Sequence, residues 1–200
     1  MLALACCLGA SGAYARVQSR VAEPPPTPAI TAPFDRLPMR FEVNRGQAQS
    51  EVKFICRTAG YTLYLDSSEF TMSLPEALLQ IRFLGAETQP RTEGLDLLPG
   101  KTNYFLGNDP TQWRPNVPSY SEVKYSGVYP GIDLVFHGNG RHIEFDFVIS
   151  PGSDPRAIRL GFHGANGLMI NPRGDLVLST ASGPVIHRKP RLWQQRGAKK

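Results

Sequence analysis

The sequence predicts an all-β protein, a β-sandwich of roughly ten short and mostly antiparallel strands. Two observations indicate this fold. Short runs alternate apolar and polar residues, and turn-forming residues separate them, with 19 Gly and 18 Pro in 200 residues. No stretch keeps a helical period over three turns. A chain of this length is long enough for one domain with a sizeable core and for additional tails.

The N-terminus has the features of an export signal. It consists of small and apolar residues and ends in Ala13-Tyr14-Ala15, which resembles an A-x-A cleavage site. The sequence therefore predicts a signal peptide over residues 1–15, and no transmembrane segment after cleavage because the run is too short. Lipid anchoring through Cys6 or Cys7 is the alternative, because both lie in a sequence that resembles a lipobox.

The region after the signal is expected to be a linker. Residues 16–33 are rich in Pro, Ala and Thr and lack the apolar residues needed to form a core. The sandwich domain is predicted over residues 34–195. Residues 196–200 are predicted to be a basic tail that precedes further domains.

The first predicted strands form two hairpins. Residues 52–57 and 61–66 flank a Thr-Ala-Gly turn, and residues 70–74 and 79–84 flank a turn marked by Pro75. Cys56 alternates with apolar neighbours in the first strand, so we expect a small core residue there rather than a nucleophile.

The next region is predicted to contain less regular structure. Residues 87–100 are expected to form a loop, residues 103–113 an aromatic strand followed by an Asp-Pro turn, and residues 116–120 another connection. We expect Trp113 to cap the core, with an exposed binding aromatic as the alternative.

A hairpin within residues 122–149 is the clearest element. Its two alternating runs flank an Asn-Gly pair, the sequence most typical of a two-residue type I′ turn. With that pair in the turn, Leu134 faces Phe145 and Asp133 faces Asp146. The face expected to be buried contains Ile132, Leu134, Phe136, Ile143, Phe145 and Phe147. The opposite face contains Asp133, Val135, His137, His142, Glu144 and Asp146.

Three short segments follow the hairpin. A strand is predicted over residues 157–163, and a hairpin joins residues 168–170 and 175–180 through an Asn-Pro-Arg-Gly turn. Residues 185–187 are the last predicted strand. These segments complete the expected set of strands.

The charge of the chain is concentrated near its C-terminus. The formal net charge is +5, to which six C-terminal basic residues contribute: Arg188, Lys189, Arg191, Arg196, Lys199 and Lys200. The remaining chain holds 16 basic and 17 acidic residues. A nearly neutral body argues against a nucleic-acid partner.

The polar face of the hairpin is the one dense cluster of ionisable residues in the sequence. A solvated face, or one neutralised by a neighbour such as Arg159, is the simplest interpretation. The first alternative is a cation site that uses the carboxylates of Asp133, Glu144 and Asp146. If two of these carboxylates face each other, Asp133→Asn should slightly raise stability.

Two other chemistries remain open for the same face. His137 and His142 across the turn could hold a transition metal, although no third ligand is evident. The facing carboxylates of Asp133 and Asp146 could serve as the acid and base of a glycosidase. No phosphate loop, nucleophile elbow, CxxC pair or HExxH motif occurs in the sequence, so we predict no catalytic residues and no cofactor. The aromatic residues that could form a sugar-stacking platform, or simply pack in the core, are Tyr104, Trp113, Tyr120, Tyr125 and Tyr129.

Several motifs resemble one bacterial family. Residues 103–140 read NYFLGNDPTQWRPNVPSYSEVKYSGVYPGIDLVFHGNG, residues 144–165 EFDFVISPGSDPRAIRLGFHGA, and residues 174–195 GDLVLSTASGPVIHRKPRLWQQ. Together with FEVNRGQ and AGYTLYL nearer the N-terminus, they are similar to the N-terminal domain of bacterial SBBP (β-propeller) repeat proteins.

The resemblance implies an exported or cell-surface module that brings no catalytic residues. The expected function is therefore non-catalytic, structural or interaction-mediating, with an unknown protein or glycan partner at the bacterial surface. The alternative is a carbohydrate-binding or carbohydrate-active domain.

Overall fold

Antiparallel strands dominate the computed structural model of the chain, which describes residues 14–22, 39–139 and 142–195. Two short 3-10 turns, Pro110–Gln112 and Pro155–Ala157, are the helical elements of this part of the chain. Its strands are β1 Tyr14–Ala22, β2 Phe41–Val43, β3 Phe54–Arg57, β4 Thr62–Leu65, β5 Glu69–Leu74, β6 Ala77–Phe83, β7 Arg91–Leu97, β8 Thr102–Tyr104, β9 Arg114–Val117, β10 Ser119–Tyr129, β11 Ile132–Asn139, β12 His142–Ile149, β13 Leu160–His163, β14 Gly167–Ile170, β15 Leu176–Thr180, β16 Gly183–His187 and β17 Arg191–Gln195.

One long sheet contains all of these strands except β8 and β9. Its order is β13-β6-β5-β4-β3-β2-β10-β11-β12-β1-β16-β15-β14, with β7 also paired to β10 and β17 also paired to β1. Strands β8 and β9 pair only with each other. Every pair is antiparallel, as alternating short strands with tight turns predict.

The sheet curls so that its two halves face each other. Phe70 on β5 contacts Phe136 on β11 and Phe145 on β12, with ring centroids 5.2 and 5.5 Å apart. Four strands separate β5 from β11 in the sheet, so these contacts cross the core rather than run along one wall. The all-β, sandwich-like prediction is therefore confirmed, with more strands than the ten expected.

A three-residue connection brings the two ends of the sheet together. It joins β13 to β14, the first and last strands of the path. Gly164 lies in this connection at φ +85°, and a Cβ there would lie 1.9 Å from the carbonyl oxygen of Leu78 on β6. The backbone can approach this closely only at glycine. A second contact, from the Glu76 amide to the Ser182 hydroxyl at 2.8 Å, joins the same two regions.

The two faces of the central hairpin are as predicted, but the pairing of its strands differs by two residues. The six apolar residues of one face are all buried. Phe136 pairs with Phe145 and Asn139 pairs with His142, so Asn139 belongs to the paired strand rather than to the predicted Asn139-Gly140 turn. A two-residue shift keeps every side chain on its face, so the hydrophobic pattern cannot distinguish the two registers. Glycine suits position 138 of this strand because a Cβ there would lie 2.2 Å from the carbonyl oxygen of His142 and 2.5 Å from the Met39 sulfur.

Three connecting regions also differ from the sequence prediction. The predicted loop over residues 87–100 contains strand β7, and the predicted connection over residues 116–120 contains the end of β9 and the start of β10. Strand β17 and its approach include Arg188, Lys189 and Arg191, so half of the basic residues assigned to the C-terminus belong to the sheet region. Most residues of β7 and β9 are exposed or only partly buried, so their sequences lack the apolar alternation of a core strand.

The N-terminal strand β1 occupies part of the predicted signal and linker. It covers residues 14–22 and therefore crosses the predicted cleavage point. The remainder of the predicted signal peptide, the linker beyond residue 22 and the basic tail lie outside the described residues. Export and cleavage stay predictions.

Candidate functional site

Asp133 stabilises a bulge between the central strands. The pairing of β10 with β11 shifts register between Tyr125 and Tyr129. The Asp133 carboxylate accepts a hydrogen bond from the Gly127 amide at 2.7 Å and forms an ion pair with Lys124 at 2.9 Å. Gly127 adopts φ +67°, which suits glycine at a bulge. The partner that neutralises Asp133 is therefore Lys124 and not Arg159.

Asp146 lies apart from Asp133 in a different environment. It pairs with Val135 in register, and Asp133 pairs with Val148. The Asp146 side chain is 1% exposed, and its Oδ2 lies 3.1 Å from Nε2 of His137. Asp146 is thus a buried polar residue within the sheet and does not belong to a solvated face.

The strand pairing separates residues that the sequence analysis placed opposite each other. Asp133 and Asp146 do not face each other across the ladder, so the predicted direct pairing of these two carboxylates is wrong. His137 pairs with Glu144 rather than with His142, which pairs with Asn139. No group of three His, Cys, Asp or Glu residues in the described part of the chain is arranged to hold a metal ion, and the cation site at Asp133, Glu144 and Asp146 is not supported.

The new pairing reverses the expected effect of Asp133→Asn. The substitution removes an ion pair between partly exposed groups and relieves no carboxylate repulsion, so it should lower the free energy of unfolding by less than about 1 kcal/mol. Urea denaturation of Asp133→Asn, with Lys124→Met and the double variant as controls, measures this coupling. Added Ca²⁺ should leave the melting temperature of the wild type unchanged. A Ca²⁺-dependent rise that Asp133→Asn abolishes would contradict this assignment.

The candidate aromatic residues divide between the core and the surface. Tyr125 and Tyr129 are buried, and their hydroxyls donate to the carbonyl oxygens of Asp66 and Arg159 at 2.8 and 2.9 Å. Burial raises the pKa of both phenols. They serve packing, so the five residues do not form one platform. Trp113, by contrast, is 36% exposed and does not cap the core.

Trp113 belongs to an arm formed by β8, the 3-10 turn at Pro110–Gln112 and β9. Asp109 caps the turn by accepting hydrogen bonds from the Thr111 amide and hydroxyl at 2.9 and 2.7 Å. The Trp113 indole donates to the carbonyl oxygen of Gly107 at 3.2 Å. These local bonds define the conformation of the arm between its two strands.

An exposed apolar surface lies at the end of the arm. Its members are Phe105, which is 58% exposed, Leu106, which is 72% exposed, and Trp113. We call these three residues the apolar tip. The Phe105 and Trp113 rings meet edge to face with centroids 5.2 Å apart. The tip is therefore preorganised, because the edge-to-face ring contact and the indole hydrogen bond restrict the side chains of Phe105 and Trp113.

Glu42 anchors the base of the arm to the main sheet. Its Oε1 accepts from the Thr102 hydroxyl at 2.7 Å, and its Oε2 accepts from the Tyr104 hydroxyl and from Arg57 at 3.0 Å. Arg57 also stacks over the Tyr104 ring at 5.4 Å. Burial and the bond to Glu42 raise the pKa of Tyr104 to about 12, so the phenol stays a donor at neutral pH.

Two shallow depressions lie on another part of the surface. They measure about 530 and 510 Å³ and share Lys53 and Thr92. Phe54, the aromatic residue in their lining, is buried. The exposed rings of the tip do not line either depression, so neither has the convergence of exposed aromatics and polar groups that a sugar site requires.

The tip was missed as a unit by sequence reasoning. Phe105 and Leu106 are adjacent apolar residues directly before a Gly-Asn-Asp-Pro turn, a position where strand alternation has ended. Consecutive apolar residues at a turn were the available signal for exposure. Glu42 had no sequence signal, because its partners lie 15 to 62 residues away in the chain.

Comparison with known protein families assigns this chain to one of them. The sequence model of a family described as Domain of unknown function (DUF7948) matches residues 41–200. The chain belongs to this family. No curated protein matches the chain, and no solved structure matches it. None of the helical elements in the described segments is long and apolar enough to cross a membrane.

Proposed function

We propose that this chain is an exported, non-catalytic module of a bacterial cell-surface protein that binds another protein through the apolar tip. The observation that carries this proposal is the exposure of three large apolar side chains on a rigid arm. An exposed apolar cluster of this kind is typical of interaction sites. Its aromatic members resemble the anchors that contribute most of the binding energy at interfaces.

The surroundings of the tip favour a protein over a glycan. Leu106, its most exposed member, is aliphatic and offers no stacking surface to a sugar ring. The neighbouring polar groups already bond within the arm, because Asp109 accepts from Thr111 and Arg114 donates to the Thr111 and Trp113 carbonyl oxygens. A glycan site needs convergent polar groups beside its rings.

The resemblance to SBBP repeat proteins supports the cellular setting. Residues 38–195 are similar to the N-terminal domain of those proteins, which implies export and attachment to further modules. The N-terminal export signal of the sequence agrees with this setting.

A photo-crosslinker at Leu106 tests the proposal in the full chain expressed in bacteria. We expect a discrete protein crosslink from position 106 and none from a matched control at Leu78, an equally apolar residue that is 62% exposed on β6. Trp113→Ala should reduce the crosslink by at least about tenfold, because the tip loses its larger ring. Glu42→Ala, which detaches the base of the arm, should reduce it as well.

Two results would contradict this function. Equal crosslinking from positions 106 and 78 would show that contacts at the tip are non-specific. Binding of the purified chain to a glycan array that Trp113→Ala abolishes would instead support the carbohydrate-binding alternative.

A further inference from the structure

Strand β1 lies inside the long sheet and not at its edge. On one side it pairs with β12 over seven positions, from Ala15 opposite Ile149 to Val21 opposite Ile143. On the other side its first half pairs with β17 and its last two residues pair with β16. The main sheet would therefore have a gap between β12 and the β16–β17 segment without this strand.

The register matches the chemistry of β1 to that of β12. Val17 is opposite Phe147, a residue of the buried face. On the alternate positions Gln18 is opposite Asp146, and Arg20 is opposite Glu144. A one-residue slip would put Arg20 in register with a residue of the buried face of β12, so the sequence pattern of β1 favours the observed register.

The connection between β1 and the rest of the chain is much longer than the distance it spans. Val21 is opposite Ile143, and Gly138, which pairs with Ile143, accepts a hydrogen bond from the Met39 amide. Both ends of the connection therefore lie at the same end of the hairpin, about three strand spacings or roughly 14 Å apart. The 17 residue steps from residue 22 to residue 39 can extend to roughly 55–60 Å.

We propose that β1 is an exchangeable strand and that the gap between β12 and β16–β17 also accepts β1 from a second copy of this chain. The long connection lets the strand reach either gap, and both arrangements form the same strand pairs. Reciprocal exchange then gives a closed, strand-swapped dimer. Strand β1 precedes the family match at residues 41–200, so the matched domain completes its sheet with a segment from outside.

Concentration should decide between the two arrangements. A tethered strand has an effective concentration in the millimolar range, so the monomer dominates at micromolar protein. Refolding at about 1 mM should populate the swapped dimer, and refolding at about 10 μM should not.

A disulfide trap tests the exchange in the full chain with Cys6 and Cys7 replaced by serine. One tagged chain carries Arg20→Cys and another carries Glu144→Cys. Directly opposed residues are about 4.5–5.5 Å apart at Cα, a distance that suits a disulfide. When the oxidant is added after refolding, Cys56 should not interfere, because it is buried in the folded chain and its pKa is raised to about 12. We expect a disulfide-linked heterodimer after the two chains are refolded together at high concentration.

A second cysteine position on β1 tests whether the disulfide depends on the strand register. Replacing Arg20→Cys by Arg16→Cys moves the thiol four positions along β1, opposite Val148, and should reduce heterodimer formation at least about tenfold. Equal trapping by the two variants would overturn the proposal. So would an intramolecular disulfide in the double variant Arg20→Cys/Glu144→Cys without any heterodimer in the mixture, because β1 would then occupy only its own gap.

Discussion

Phe145→Ala should lower the free energy of unfolding by about 3–5 kcal/mol, the typical range for removal of a fully buried phenylalanine. Phe145 is 1% exposed, and its ring lies 5.7 Å from Phe136 and 5.5 Å from Phe70 on the opposite wall. It therefore joins the two halves of the curled sheet. Domains of this size are stable by about 5–15 kcal/mol, so the variant should be marginally folded. Equilibrium urea denaturation followed by tryptophan fluorescence measures the change.

Trp113→Ala provides the matched control for Phe145→Ala. It also removes a large aromatic side chain, but Trp113 lies outside the core and contacts mainly Phe105. We expect a loss of about 1 kcal/mol, the value of an aromatic pair at the surface. Far-UV circular dichroism should follow this variant, since it removes one of the two fluorescent tryptophans. Similar losses in the two variants would show that the core extends to the arm and that the tip is not a free surface.

The buried face of the hairpin could be predicted because it depends on a local rule. Alternation places Leu134, Phe136 and Phe145 on one side of the sheet in any register of the correct parity. The exact partner could not be predicted, since turn chemistry favoured Asn139-Gly140 and a two-residue shift of the pairing leaves both faces unchanged. Gly138 illustrates the role of distant contacts: its carbonyl oxygen accepts a hydrogen bond from the amide of Met39, which is distant in sequence.

The candidate site was harder to predict than the fold. Acidic residues on one strand face suggested a shared site, yet the structure separates Asp133, which supports a bulge, from Asp146, which is buried beside His137. The positions of charged residues in a sequence do not show which of them will lie opposite each other when the strands pair. The exposure of the apolar tip could not be predicted either, because the exposure of Trp113 depends on how the arm leaves the sheet. Both outcomes depend on contacts between distant segments.

Acidification should destabilise the protein through His187. Its side chain is buried on β16, stacks on Phe145 with centroids 5.5 Å apart, and its Nε2 has no hydrogen-bond partner among the described residues. Burial lowers the pKa of His187 from 6.5 to about 4, although the nearby carboxylate of Asp175 acts in the opposite direction. The folded state therefore holds a neutral imidazole that the unfolded chain would protonate near pH 6.5.

The sign of the effect follows from proton binding. Between pH 6.5 and pH 4 the unfolded chain binds more protons at His187 than the folded chain, so stability falls as the pH falls through this window. The fall in the pKa of His187 from 6.5 to about 4 corresponds to about 3 kcal/mol of stability, which is present above pH 6.5 and lost by about pH 4. His187→Leu should remove this part of the pH dependence, and His163→Leu, at an exposed histidine on β13, should not. Urea denaturation of the three proteins at pH 7, 5.5 and 4 compares the slopes. If wild type and His187→Leu lose the same stability on acidification, the buried imidazole is not the group that titrates.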